Sequence, residues 1–292
     1  MPTLSIDEIK KLTIIGLFSK DSLLQQLVLK GGNLLDLVYG ISTRPSKDID
    51  LSLRSEFEDM DQARQDIEEA LADTFREHGY VVFDVRLAEE PPEALRHSRK
   101  FWGGYKAEFK LLPAASHGLL ASDPDRARRE ALVVREAQGR RFPIEISKYE
   151  YCEGAVEEEL DGYTIMVYTP VMLTCEKLRA ICQQMPEYRA FVGGRGRPRG
   201  RDFLDLHTVI EYFGIDFADP RLHETLRGVF GVKQVPLRLL GEIKTEDVRE
   251  YHRDDFENIA PTVRPGAGLQ SFEFYWRFVV DRVKQLETLW NE

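Results

Sequence analysis

Apolar residues recur at helical spacing from Ser5 to Leu29, first in SIDEIKKLTIIGLF and then in SLLQQLVL, where Leu23, Leu24, Leu27 and Val28 share a face. Ser5 and Glu8 stand in capping-box order at the start of the first helix. Gly31-Gly32 interrupts the pattern, Asn33 is placed to cap a second apolar stretch, LLDLVYG, and Gly40 ends it. DIDLSL then alternates strictly, with Ile49, Leu51 and Leu53 on one side and Asp48, Asp50 and Ser52 on the other, which predicts a strand. A polar helix is expected near residues 59–78, followed by three strands in YVVFDVRL, GYKAEFKLL and RFPIEISKY. An acidic connector, YCEGAVEEELDGY, leads to a short strand in TIMVYTP. Beyond Pro170 the period is helical, through Leu178, Ile181, Cys182 and Met185, then Phe203, Leu206, Ile210 and Phe213, then Phe272 to Trp290. The expected fold is α+β: a mixed sheet with flanking helices over residues 1–165 and a mainly helical lobe over 166–292.

The composition of the 292-residue chain, 42% hydrophobic and 31% charged, is that of an ordinary globular protein. Its three cysteines have no metal-type spacing and its six histidines are scattered, so a zinc site built from them is not expected. No run is long enough to span a membrane and the N-terminus opens a helix where a signal peptide would carry basic charge, so a cytoplasmic protein with buried, reduced thiols is expected. The net charge of −10 argues against nucleic-acid binding over the whole surface. It leaves room for one local patch, RAFVGGRGRPRGR, which holds Arg189, Arg195, Arg197, Arg199 and Arg201 with no acid among them. The glycines of that stretch predict a flexible, solvated loop until a partner orders it.

Fifty acidic residues in 292 produce about eight acid-x-acid pairs by chance, so Asp48-x-Asp50 means little by itself. On a strand, however, the two carboxylates project from one face about 6 to 7 Å apart, where they suit a hard divalent cation. A plain solvent-facing strand surface would carry the same pair. Gly31-Gly32 allows backbone N–H groups close approach to an anion at a helix start, although a simple helix break would read the same way. Taken with Arg44 and Ser46 between them, these pieces favour phosphate chemistry on a metal. Lys177 reads either as a surface lysine with a buried stem or as a phosphate ligand. Asp202 and Asp205 read either as first-turn acids or as active-site acids.

LKGGNLLDLVYGISTRPSKDIDLSL, followed by YTPVMLTCEKLRAI and RGRPRGRDFLDLHTVI, resembles the motifs of the AbiEii/AbiGii-type nucleotidyltransferases, MenT-like toxins of type IV toxin-antitoxin and abortive-infection systems on the DNA polymerase β-like fold. The likeness covers roughly residues 23–213. It implies transfer of a nucleoside monophosphate from an NTP with release of pyrophosphate, dependent on Mg2+ or Mn2+. It makes Asp48 and Asp50 the metal ligands, with Glu145 as third carboxylate and base, and Asp84 the competing candidate. It gives Gly31, Gly32, Arg44, Ser46, Lys177 and Asp202 to the nucleotide, and makes Lys177 and Asp205 catalytic. The implied acceptor is RNA, in particular the 3′ end of tRNA, contacted through Arg195, Arg197, Arg199 and Arg201, with a separately encoded antitoxin as partner. A protein hydroxyl as acceptor, or a silent nucleotide- or partner-binding module, are the alternatives.

Overall fold

A computed structural model describes residues 4–42, 46, 48–91, 101–134, 139–193, 195–264, 266 and 268–291. Arg44 and Gly194 lie outside the described residues. The chain divides into two compact units, one of Met1–Asn33, Ser46–Lys148 and Glu157–Val167, the other of Leu34–Pro45, Tyr149–Val156 and Tyr168–Glu292.

The first unit carries a seven-stranded mixed sheet, which makes the fold α+β. In chain order its strands are β1 (Leu27–Lys30), β2 (Ile49–Leu53), β3 (Tyr80–Glu90), β4 (Gly104–Pro113), β5 (Phe142–Ser147), β6 (Val156–Leu160) and β7 (Tyr163–Val167). In space the order is β3-β4-β5-β2-β1-β7-β6. β2 runs antiparallel to β1 and parallel to β5, and β4 is antiparallel to both β3 and β5. The register Leu29↔Leu51↔Ile146↔Tyr105 lays a buried apolar row across four strands. Helices Ile6–Phe18 and Met60–Glu77 belong to this unit; the first begins at the Ser5–Glu8 capping box, the second at Asp59, whose carboxylate accepts the Asp61 and Gln62 N–H groups.

Three expectations are corrected here. Leu27 to Lys30 form a strand, not the end of a helix: all four residues are buried, and β1 lies between β2 and β7. A central strand covered on both faces shows no alternation, so its short apolar run looks helical. The acidic connector contains β6, an edge strand in which Val156, Glu157, Glu158 and Glu159 are all exposed. Asp161 and Gly162, both at positive φ, turn it into β7. Asn33 does not cap the next stretch either; that stretch is a π-helical turn, Leu34–Val38, and the Asn33 side chain bonds elsewhere.

The second unit is helical. Thr169 caps Pro170–Cys182 with proline in the first turn, and helices Gly200–Phe213, Pro220–Gly231, Glu246–Phe256 and Phe272–Val283 surround a core that includes Leu178, Ile181, Phe203, Leu206, Leu226 and Phe230. Met185 is buried beyond the end of its expected helix, Phe213 is exposed, and the run to Trp290 is broken by a 3-10 turn at Lys284–Leu286. Cys175 and Cys182 are buried and Cys152 is half-buried. Among the described residues, no helix is long and apolar enough to cross a membrane.

Candidate active site

In the first unit the two glycines and the two aspartates meet. Gly31 has φ +70°, a value side chains rarely adopt, and a methyl group there would stand 2.5 Å from Asp50 Oδ2 and 3.0 Å from its Cβ. A methyl group at Gly32 would stand 2.7 Å from Ser46 Oγ. The turn after β1 is therefore wedged against the acid of β2 on one side and against Ser46 on the other. Ser46 and Asp48 are anchored in turn. Buried Lys10 donates to the Ser46 carbonyl, Asn33 Nδ2 donates to the Asp48 carbonyl, and Ser46 Oγ donates to the same carbonyl at 3.3 Å.

Cross-strand register completes the arrangement. Lys30 pairs with Asp50, Asp50 with Glu145, and Glu145 with Lys106, so cation, acid, acid and cation stand side by side on one sheet face. Crowding by the protein and the charges of Asp48 and Glu90 raise the Glu145 carboxyl above its usual range, against Lys106 and Lys30. Asp84 is elsewhere. It sits at a bulge of β3 with φ 51°, two strands beyond β5, and Arg128 with Lys110 holds its carboxyl at about 2. Of the two contenders for third carboxylate, Glu145 is the one beside Asp50. Among the described residues, no three His, Cys, Asp or Glu side chains are grouped so that together they could hold a metal ion. Mg2+ needs less, since it takes one or two carboxylates and keeps several waters until phosphates replace them. The all-oxygen donors here fit that requirement.

The second unit holds a different cluster. Lys177 Nζ lies 2.7 Å from Asp205 Oδ2 and 3.1 Å from Asp202 Oδ1, and Arg199 Nε lies 2.6 Å from Asp202 Oδ2. Lys177, Asp202 and Asp205 are all buried, so Lys177 is not a surface lysine with a solvated head, and Asp202 does more than complement a helix dipole. Burial would raise the Asp202 carboxyl, but the charges of Arg199 and Lys177 outweigh it and hold it far below the usual range. The Arg199 N–H donates to His252 Nδ1 at 2.8 Å, and burial pushes that imidazole down to about 4.

The arginine-rich stretch is not a loose loop in its described part. Arg189 Nη2 donates to the Arg195 carbonyl at 2.9 Å, the Arg197 N–H to Gln184 Oε1 at 2.9 Å, and the Gly200 N–H to Asp255 Oδ2 at 3.1 Å. Arg195, Arg197 and Arg201 are exposed, whereas Arg199 turns inward to Asp202. Sequence reasoning missed Lys10, Lys30, Lys106 and His252. Lys106 was within reach, because the alternation of β4 places it opposite the buried ring of Tyr105; nothing in the sequence singles out the others.

The family model described as nucleotidyl transferase AbiEii toxin, type IV TA system, matches residues 15–278. The chain belongs to this family. As an AbiEii protein it is a nucleotidyltransferase enzyme of the toxin-antitoxin class. Among solved structures it is similar to MenT4, a nucleotidyltransferase toxin from Mycobacterium tuberculosis H37Rv, at 14% identity and TM-score 0.49, covering 97% of this chain and 84% of that one. It is also similar to an antigenic nucleotidyltransferase-like protein from Paracoccidioides brasiliensis, at 14% identity and TM-score 0.38, covering 80% and 95% respectively. No curated protein matches the AbiEii chain.

Two outcomes follow from this geometry. Gly31→Ala should lower thermal stability and displace Asp50, cutting nucleotide transfer, whereas Gly40→Ala, at φ +64° with nothing within 4 Å, should cost only the backbone strain of about 1–3 kcal/mol and leave transfer intact. Equal losses of transfer in both variants would show that contact with Asp50 is irrelevant. The depressed His252 leaves the unfolded chain binding more protons between about pH 6.5 and about 4, so stability should fall as pH drops through that window and level off below it. The full effect is about 3 kcal/mol, and His252→Asn, compared by urea unfolding at several pH values, should lack it.

Proposed function

We propose that this AbiEii nucleotidyltransferase moves a nucleoside monophosphate from an NTP to an RNA hydroxyl with release of pyrophosphate, and that Asp48, Asp50 and Glu145 are its working acids. The observation that carries the reading is the wedge of Gly31 against Asp50, with Glu145 next to it on the same sheet face. A divalent cation, Mg2+ or Mn2+, held by Asp48 and Asp50 with Glu145 alongside, would supply the charge that stabilises the reacting phosphate and the leaving pyrophosphate. The Gly31-Gly32 backbone and Ser46, whose carbonyl Lys10 holds while Asn33 holds that of Asp48, lie beside those acids and are assigned the NTP phosphates, with Arg44 as an added cation.

Lys177 receives a different assignment. Its ammonium already serves two buried carboxylates, so we assign it first to holding Asp202 and Asp205 together, and a nucleotide contact would be an additional duty. Arg195, Arg197 and Arg201 are assigned to RNA phosphates, while Arg199 supports Asp202. The 3′ end of tRNA is the first acceptor to test, and the family's type IV toxin-antitoxin description implies an antitoxin partner.

Incubating the purified protein with each labelled NTP, Mg2+ and cellular RNA should label RNA, and ribonuclease should remove the label. Label that survives on a protein band would instead make a protein hydroxyl the acceptor. Asp48→Ala and Asp50→Ala should each lower transfer by about a thousandfold, the weight of several kcal/mol of lost charge stabilisation, with folding retained by circular dichroism. Near-wild-type transfer in either variant would sink the metal assignment. Lys177→Ala should destabilise the protein by about 3–5 kcal/mol because two buried acids lose their cation. A second change, Asp205→Asn, should recover part of that loss in urea unfolding, and simple additivity would refute the coupling.

A further inference from the structure

Five arginines and no acid stand between residues 189 and 201 of a chain whose net charge is −10. The hydrogen bonds from Arg189 to the Arg195 carbonyl and from the Arg197 N–H to Gln184 fix the described backbone as a surface. Gly196 lies so close to a neighbouring helix that a methyl group there would stand 2.7 Å from Tyr251 Oη. From this fixed backbone the side chains of Arg195, Arg197 and Arg201 reach solvent.

One exposed aromatic ring lies within this stretch and a second lies beside it. Phe191, in the last turn of the Pro186–Val192 helix, is 46% exposed, and Tyr251, on the Glu246–Phe256 helix, is 39% exposed. Each is steadied from within the fold, Phe191 by Tyr188 with ring centroids 6.1 Å apart and Tyr251 by His252 at 5.2 Å. Rings held in this way lose little freedom when another flat group stacks on them. Arginines beside exposed rings form the combination that takes single-stranded nucleic acid, with cations on the backbone and rings on the bases. A duplex keeps its bases stacked inside and offers the rings nothing.

We propose that Arg195, Arg197 and Arg201, with Phe191 and Tyr251, form a docking surface for single-stranded RNA, the arginines taking phosphates and the rings taking bases. The proposal rests on the reading of RNA as acceptor and narrows it to unpaired RNA.

The test uses the full chain and a fluorescent, unstructured RNA oligonucleotide, with a perfect RNA duplex and poly-glutamate as comparison ligands. Affinity is read by anisotropy across a salt series. Replacing Arg195, Arg197 and Arg201 with Ala should flatten the slope of log affinity against log salt by roughly two units, at about 0.7 per lost single-strand contact. Phe191→Ala and Tyr251→Ala should each weaken single-strand binding by about tenfold with the slope unchanged, because stacking is not an ionic contact. Tyr251→Phe should bind like the wild type, and duplex binding should not respond to either ring. Phe191 is exposed, so its variant tests the rings even if Tyr251→Ala fails to fold.

Unchanged binding by Phe191→Ala and Tyr251→Ala overturns the proposal. So does poly-glutamate binding as tightly as RNA, since the arginines would then recognise charge alone. Transfer of label from NTP to RNA by the wild type is scored separately. Labelled RNA with binding unaffected by the variants removes only the docking surface. Ring-dependent binding without labelled RNA supports the docking surface and refutes RNA as acceptor.

Discussion

The placement of Asp50 in the first unit depends on how closely the backbone of residue 31 approaches it. A β-carbon at that position would stand 2.5 Å from the carboxylate oxygen, and the residue also holds φ +70°, so any side chain there is opposed both by contact and by conformation. That approach ties the turn after β1 to the acid of β2, at the place where the ladder pairs Lys30 with Asp50. The other end of the Asp48-x-Asp50 pair is fixed by different groups, the Asn33 amide and Ser46 hydroxyl on the Asp48 carbonyl and Lys10 on the Ser46 carbonyl. Both aspartates are thus positioned through the backbone around them.

Charge across the sheet follows the same economy. Asp50 and Glu145 are lateral neighbours, and two adjacent carboxylates repel. Lys30 on β1 and Lys106 on β4 stand at the outer ends of that row, and both oppose the forces that raise the Glu145 carboxyl. The acids can therefore sit together before any ligand arrives. In the second unit the solution is more complete, because Lys177 lies between Asp202 and Asp205 at bonding distance and Arg199 takes the remaining Asp202 oxygen.

β2, β4, β5 and the helix Met60–Glu77 were legible in the sequence because polar and apolar residues alternate along each with its own period, even though the polar positions of β2 and most of those of β4 are themselves buried or half-buried. β1 was not, since both of its buried faces carry apolar residues, which leaves LVL looking like helix. β6 escaped for the opposite reason: an edge strand with four exposed residues carries no apolar face to detect. Strand period two showed that Asp48 and Asp50 share a face and that Glu145 points away from the core, whereas their selection among fifty acids came from the family resemblance. Lys10 and His252 could not, for they act on Ser46 and Arg199 across 36 and 53 residues of chain, and such pairings exist only after folding. Glycine content suggested a loose arginine loop; the bonds to Gln184 and Asp255 that fix it come from distant segments.

Residue type alone does not sort these charges into roles; their partners do. Asp84 is bound by Lys110 and Arg128, and Asp202 by Lys177 and Arg199, so the lone pairs of both are committed within the fold. Asp48 and Glu145 keep exposed side chains, as a carboxylate must if it is to exchange water for a cation. The arginines divide the same way. Arg199 is spent inward on Asp202, and by doing so it anchors the first turn of the Gly200–Phe213 helix, just where Arg197 and Arg201 leave the backbone toward solvent. The inward arginine is thus what allows its neighbours to point outward from a fixed position, and a charge that looks redundant in the sequence becomes the support for the others.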